Sequence, residues 1–156
     1  MLQAPPRQRP TPERCFGWSA RAWARPWRAF LREYWRLHGA AALPRALELG
    51  AGTQSSLAPL LLPLARAVEC SAYDAGTLPA VRARNDALLP PAEAARITYT
   101  RQDLRQLTGQ WDLIVLKSVL GGVHRVPGST LADVHATLAG LMQHLTPGGW
   151  LVSLDN

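Results

Sequence analysis

Lysine is almost missing from this chain: of its 17 basic side chains, Lys117 alone is not arginine. Cysteine is nearly as scarce. Cys15 and Cys70 stand far apart, with no companions at metal-ligand spacing, which excludes a disulfide framework or a zinc site and fits reduced thiols in a cytoplasmic protein. No apolar run approaches the length needed to cross a membrane, so no membrane partner is expected. The first residues carry no apolar stretch of the signal-peptide kind. No Gly-Lys-Ser or Gly-Lys-Thr occurs, so the chain has no phosphate-gripping P-loop.

What is present points to one globular domain of 156 residues, 47% hydrophobic, large enough to bury a core. Charge is unevenly spread. Residues 1–45 hold nine arginines against Glu13 and Glu33, a net +7, whereas residues 46–156 are close to neutral. A solvated, arginine-rich helix face accounts for this; a basic arm for nucleic acid is the competing reading. Residues 1–13 read as a disordered, proline- and arginine-rich tail. Residues 14–44 read as a helical lid or cover interrupted by Pro26, with Trp23, Trp27, Phe30, Leu31, Tyr34 and Trp35 recurring at intervals of three and four.

From residue 45 onward strands and helices alternate. Arg45–Leu49 is expected as strand one. Ser55 or Ser56 is expected to cap a short or kinked helix carrying Leu57, Leu60, Leu61 and Leu64, because Pro63 removes an amide donor. Ala67–Tyr73, Arg96–Arg101, Trp111–Leu116 and Trp150–Leu154 are the next strands, and a helix fills Leu78–Leu89. A last helix, capped by Thr130 and Asp133, is expected to stop at Thr146-Pro147-Gly148-Gly149. Such alternation implies crossover connections and an α/β fold with a mainly parallel sheet.

The most telling segment is Ala46-Leu47-Glu48-Leu49-Gly50-Ala51-Gly52-Thr53-Gln54, a buried strand ending in an acid, then a glycine turn opening a helix. Such turns bind nucleotide-like ligands at the carboxyl ends of parallel strands. A nicotinamide-dinucleotide fingerprint wants a third glycine, and Ser55 occupies that place. A carboxylate just before the turn repels pyrophosphate but suits a ligand bearing an amino group.

Together these features resemble the class I S-adenosylmethionine-dependent methyltransferases. Their first motif, acid-x-Gly-x-Gly-x-Gly, is matched by Glu48, Gly50 and Gly52, with Gln54 in place of the last glycine. Asp74 matches the acid that holds both ribose hydroxyls, Asp103 the residue near the adenine amino group, and Leu145-Thr-Pro-Gly-Gly the turn into strand five. The resemblance runs from about Arg45 to the last residue.

It implies a three-layer Rossmann-like sandwich with strand order 3-2-1-4-5, S-adenosylmethionine as cofactor, and Glu48, Gly50, Ala51, Gly52, Asp74, Asp103 and Lys117 around it. The acceptor loop would be 117–124, with His124 as the candidate base and Lys117 able to pair with a substrate anion or the cofactor carboxylate. It lacks Asn/Asp-Pro-Pro-Tyr and a Pro-Cys pair, so the expected acceptor is an oxygen or nitrogen of a small molecule.

The family adds two strands after strand five, and the sequence ends at Asn156. A missing C-terminal segment, a shortened chain or an oligomeric partner is therefore expected to cover that edge. The alternatives are a non-catalytic, truncated binding module, an RNA methyltransferase using the basic segment, and an NAD-binding oxidoreductase.

Overall fold

The structure, a computed structural model, describes residues 10–17 and 20–155. Most of the expected tail, residues 1–9, and the final Asn156 lie outside the described residues. Pro12 and Glu13 belong to a helical turn, α1 (Pro12–Cys15), which drives Cys15 and Phe16 into the core. α2 (Ala20–His38) follows. It runs continuously through Pro26, which lies on the solvent side. Below it Trp27 and Tyr34 are fully buried, each large aromatic removing roughly 150–250 Å² from water. The arginines face outward, as the periodicity predicts.

Five strands form one parallel sheet: β1 (Leu43–Leu49), β2 (Ala65–Ala72), β3 (Ile97–Arg101), β4 (Trp111–Lys117) and β5 (Leu145–Leu154). Their order is β3-β2-β1-β4-β5, as expected from the resemblance. β4 is buried on both faces because its residues alternate between two cores. Leu113 and Val115 join Ala46, Val68 and Cys70 under α1, α2, α3 (Ala58–Leu61) and α4 (Leu78–Leu88). Ile114 and Leu116 join Leu47 and Leu49 under α6 (Leu120–His124) and α7 (Leu131–Met142). A short α5 (Pro91–Ala94) links α4 to β3.

Besides the interruption expected at Pro26, which α2 does not show, two further expectations about the elements are corrected. Strand five begins at Leu145 and not Trp150: Leu145 pairs with Trp111 and Trp150 with Leu113, so Thr146–Gly149 bulges out within the strand. Gly149 fits there because a Cβ would lie 2.9 Å from the Thr146 carbonyl oxygen and 3.1 Å from that of Asp112. The 117–124 loop is also partly helical. Leu120 and Val123 are buried, and that packing overrides the poor helix propensity of Gly121 and Gly122.

α2 packs as a layer of the molecule. Aromatic contacts run from Phe16 through Trp27, Phe30 and Tyr34 to Trp150 on β5. The indole N–H of Trp150 donates to Nε2 of His38 at 2.8 Å.

Candidate functional site

β1 lies between β2 and β4, so its carboxyl end opens where the sheet order reverses direction, the crevice in which open α/β sheets bind ligands. Gly50 and Ala51 leave the strand there, and both amides donate to the Ser71 carbonyl on β2, at 3.0 and 2.7 Å. Gly50 has φ +83°, and a Cβ on it would stand 2.6 Å from Val119 Cγ2. Gly52 and Ser55 then close a small turn on each other at 2.9 and 3.1 Å, leaving Thr53 and Gln54 exposed at its tip. Nothing in the described protein lies within 4 Å of a Cβ added at Gly52. The chain's own packing requires the first glycine, whereas the second faces open space.

Two depressions flank this contact. One, of about 310 Å³, is lined by the turn residues Gly50, Gly52, Gln54 and Ser55, an edge of Glu48, and Lys117 and Ser118 from the end of β4. The other, of about 400 Å³, is lined by Tyr73, Asp103, Arg105, Val119, Gly122 and Val126. Ser118 has φ +58°, a left-handed conformation that costs roughly 1–2 kcal/mol for a residue with a Cβ. Such strain gathers at ligand sites.

Glu48 is 3% exposed, and four protein donors converge on its carboxylate. Its carboxylate accepts from the amides of Leu57 (2.6 Å) and Ala58 (2.8 Å), from Ser56 Oγ (2.8 Å) and from Cys70 Sγ (3.4 Å). Neither Ser55 nor Ser56 caps α3; the acid from β1 does, because Glu48 points to the sheet face that carries this helix. Burial pushes its pKa up, against the pull of those donors.

Asp74 opens a single 3-10 turn (Ala75–Thr77), accepting from the Gly76 amide at 2.8 Å. Its other carboxylate oxygen has no hydrogen bond among the described residues. Asp103 similarly accepts from the Arg105 amide at 2.9 Å while lining the second depression. Lys117 is half-buried, its Nζ 5.8 Å from the centre of the Trp23 ring. Burial lowers its pKa, with Asp155 and Glu48 opposing.

The turn residues Gly50 and Gly52 thus meet Lys117 in one depression, Asp103 lies in the other, and Ala51 is buried beneath the turn. Asp74 lines neither depression, although its neighbour Tyr73 does. His124 is exposed at the end of α6 and also lines neither. Ser118 and Val119 fall in the loop expected to face the acceptor, whereas Tyr73 was not expected from the sequence. An aromatic directly before Asp74 was a usable signal for Tyr73; the φ of Ser118 has none. Among the described residues no group of three or more His, Cys, Asp or Glu could hold a metal, and no helix is long and apolar enough to cross a membrane.

A parallel sheet in the order 3-2-1-4-5, with a glycine turn at its reversal point, is a Rossmann-like fold that S-adenosylmethionine-dependent methyltransferases share. No family model matches the chain, and no curated protein matches it by sequence. Among solved structures it is similar to the glycopeptide N-methyltransferase MtfA, at 25% identity and TM-score 0.56, covering 80% of this chain and 51% of that one. Fold similarity alone extends to CalS10, an amino pentose methyltransferase from Micromonospora echinaspora (23% identity, TM-score 0.60, 86% of this chain and 51% of that one). It extends likewise to the N-methyltransferase NodS from Bradyrhizobium japonicum WM9 (17%, 0.57, 81% and 59%). The chain spans about half the length of the first of these structures.

Proposed function

We propose that this chain binds S-adenosylmethionine across the carboxyl ends of β1, β2 and β3, beside the end of β4, and directs its methyl group to an oxygen or nitrogen of a small-molecule acceptor. The observation that carries the reading is the contrast between the two glycines of the turn. Gly50 is demanded by Val119, while Gly52 borders open space beside Lys117, where a ligand can approach the backbone. The bound donor would supply an electrophilic methyl on a sulfonium, so the protein's task is chiefly alignment.

The residues present fit that donor. Lys117 offers an ammonium for its carboxylate, and Tyr73 offers an aromatic face beside the second depression. Asp74 and Asp103 each have a carboxylate oxygen without a hydrogen bond among the described residues, suited to ribose hydroxyls or an amino group. Glu48 and Ala51 act behind the turn, tying it to α3 and β2. His124 is the candidate proton acceptor by its place on α6, whose Gly122 and Val123 border the second depression. Support also comes from MtfA, which has been solved with S-adenosylmethionine and whose described activity is methylation at nitrogen.

Calorimetric titration with S-adenosylhomocysteine tests the reading. Saturable heat is expected; a folded protein giving none up to millimolar ligand would end it. A second reading, a binding module without catalysis, draws on the carboxylates of Glu48 and Asp74, which already serve backbone amides. Ligand binding with no methyl transfer across amine and hydroxyl acceptors would favour it.

A further inference from the structure

The tip of the glycine turn has little to hold it from within: Gly52 and Ser55 bond each other, and Thr53 and Gln54 protrude. Its remaining ties come from outside, from α4, from the end of α1 and from Gly17 just beyond it. Arg84 on α4 donates through Nη2 to the Arg14 carbonyl at 2.7 Å and through Nη1 to the Thr53 carbonyl at 3.4 Å. The next residue, Asn85, is buried and donates to Ser56 Oγ at 3.0 Å. The Ser56 amide donates to the Cys15 carbonyl at 3.1 Å, and Cys15 and Phe16 are anchored in the core.

Gly17 completes the contact. It has φ +63°, and a Cβ there would fall 1.9 Å from the Gln54 carbonyl oxygen. The N-terminal segment therefore rests directly on the turn, at the position where Gln54 replaces a glycine of the motif.

We propose that Arg84 is a positioning residue that clamps the N-terminal segment to the glycine turn and thereby sets the shape in which the turn meets its ligand; this rests on the donor-binding reading above. A guanidinium suits the task. Its planar fork presents donors in two directions to carbonyls from two segments, whereas an ammonium is a point charge on a flexible stem. Arg84 is the side chain that couples cofactor affinity to the docking of residues 14–17, beside the backbone contacts of Ser56 with Cys15 and of Gly17 with Gln54.

The test compares Arg84→Met, Arg84→Lys and Gly17→Ala with the wild-type chain, reading amide hydrogen exchange at Gly52, Ser55 and Ser56 without ligand, S-adenosylhomocysteine affinity, and thermal stability. For Arg84→Met we expect exchange at these amides faster by tenfold or more, affinity about tenfold weaker and, in turnover, a raised KM for the donor with kcat little changed. Arg84→Lys should recover part of both losses. If Arg84→Met fails to fold, Gly17→Ala pries the same contact from the other side and should show the same pairing of fast exchange with weak binding. Wild-type exchange in a folded Arg84→Met protein, or fast exchange with unaltered affinity, overturns the proposal. Absence of ligand binding by the wild type would refute the donor reading and, with it, the ligand half of this proposal. The exchange measurement would then decide the clamp by itself.

Discussion

Gly50 and Val119 join the ends of β1 and β4: the glycine hydrogen lies where a Cβ would stand 2.6 Å from Cγ2 of the valine. The contact separates the two depressions of the candidate site, and the wall between them has no room for a side chain.

Gly50→Ala should therefore destabilise by two separable amounts. The left-handed φ costs roughly 1–2 kcal/mol and the clash with Val119 adds about 1–3 kcal/mol. Adding Val119→Ala relieves the clash and leaves the backbone strain. Urea unfolding of the single and double variants should show that partial recovery; a double variant no more stable than Gly50→Ala would deny the contact its role.

Lys117 gives a pH dependence whose sign follows from its burial. Its folded pKa lies below the ordinary 10.5, so the native state releases the proton first as pH rises. The destabilisation is full below the folded pKa and fades between that value and 10.5. Stability of the wild type relative to Lys117→Met should accordingly rise across that window, as read from unfolding free energies at a series of alkaline pH values. A flat difference would mean that the ammonium is not desolvated in the native state. Under the proposed function the same variant binds S-adenosylhomocysteine about tenfold more weakly, a loss of about 1.4 kcal/mol.

Glu48→Gln should cost about 3 kcal/mol. The carboxylate accepts from two amides, a hydroxyl and a thiol, and a carboxamide offers one acceptor oxygen while turning N–H groups toward the same donors. Equilibrium denaturation measures the loss; a change below 1 kcal/mol would show that the α3 cap is easily replaced.

Both thiols should be silent in the native protein. Cys15 and Cys70 are fully buried, and desolvation pushes the Cys15 thiol up to about 12 and that of Cys70 higher still, with the Glu48 carboxylate adding to both. A disulfide reagent at mild alkaline pH should label neither until denaturant is added. Rapid labelling of either one would place it at the surface.

Most of the strand plan was legible from the sequence, because β4 carries the apolar run Leu113–Leu116 and the long helix α2 carries a stripe at helical spacing. Proline shortened α3 to a single turn as expected. The misjudged boundary, at β5, was set by pairing: the strand resumes on both sides of Thr146–Gly149 because β4 offers partners on both sides, information carried 34 residues away in Trp111. The candidate site was legible as a tight glycine turn, whereas the hydrogen-bond partners of its acids were not. Glu48 reads in sequence as facing a ligand, yet the face of β1 it occupies is the one α3 packs on, so it meets amides.

By itself the sequence determined most of the strands, the long helices and where the chain turns tightly. Those depend on side-chain periodicity and on the few residues that tolerate unusual φ. Which atoms those turns meet was decided by the tertiary structure alone. Gly17 beneath the Gln54 carbonyl, Arg84 between Arg14 and Thr53, and Val119 against Gly50 each join segments distant in the chain. Such contacts exist only once the sheet has ordered its strands, and no local pattern encodes them.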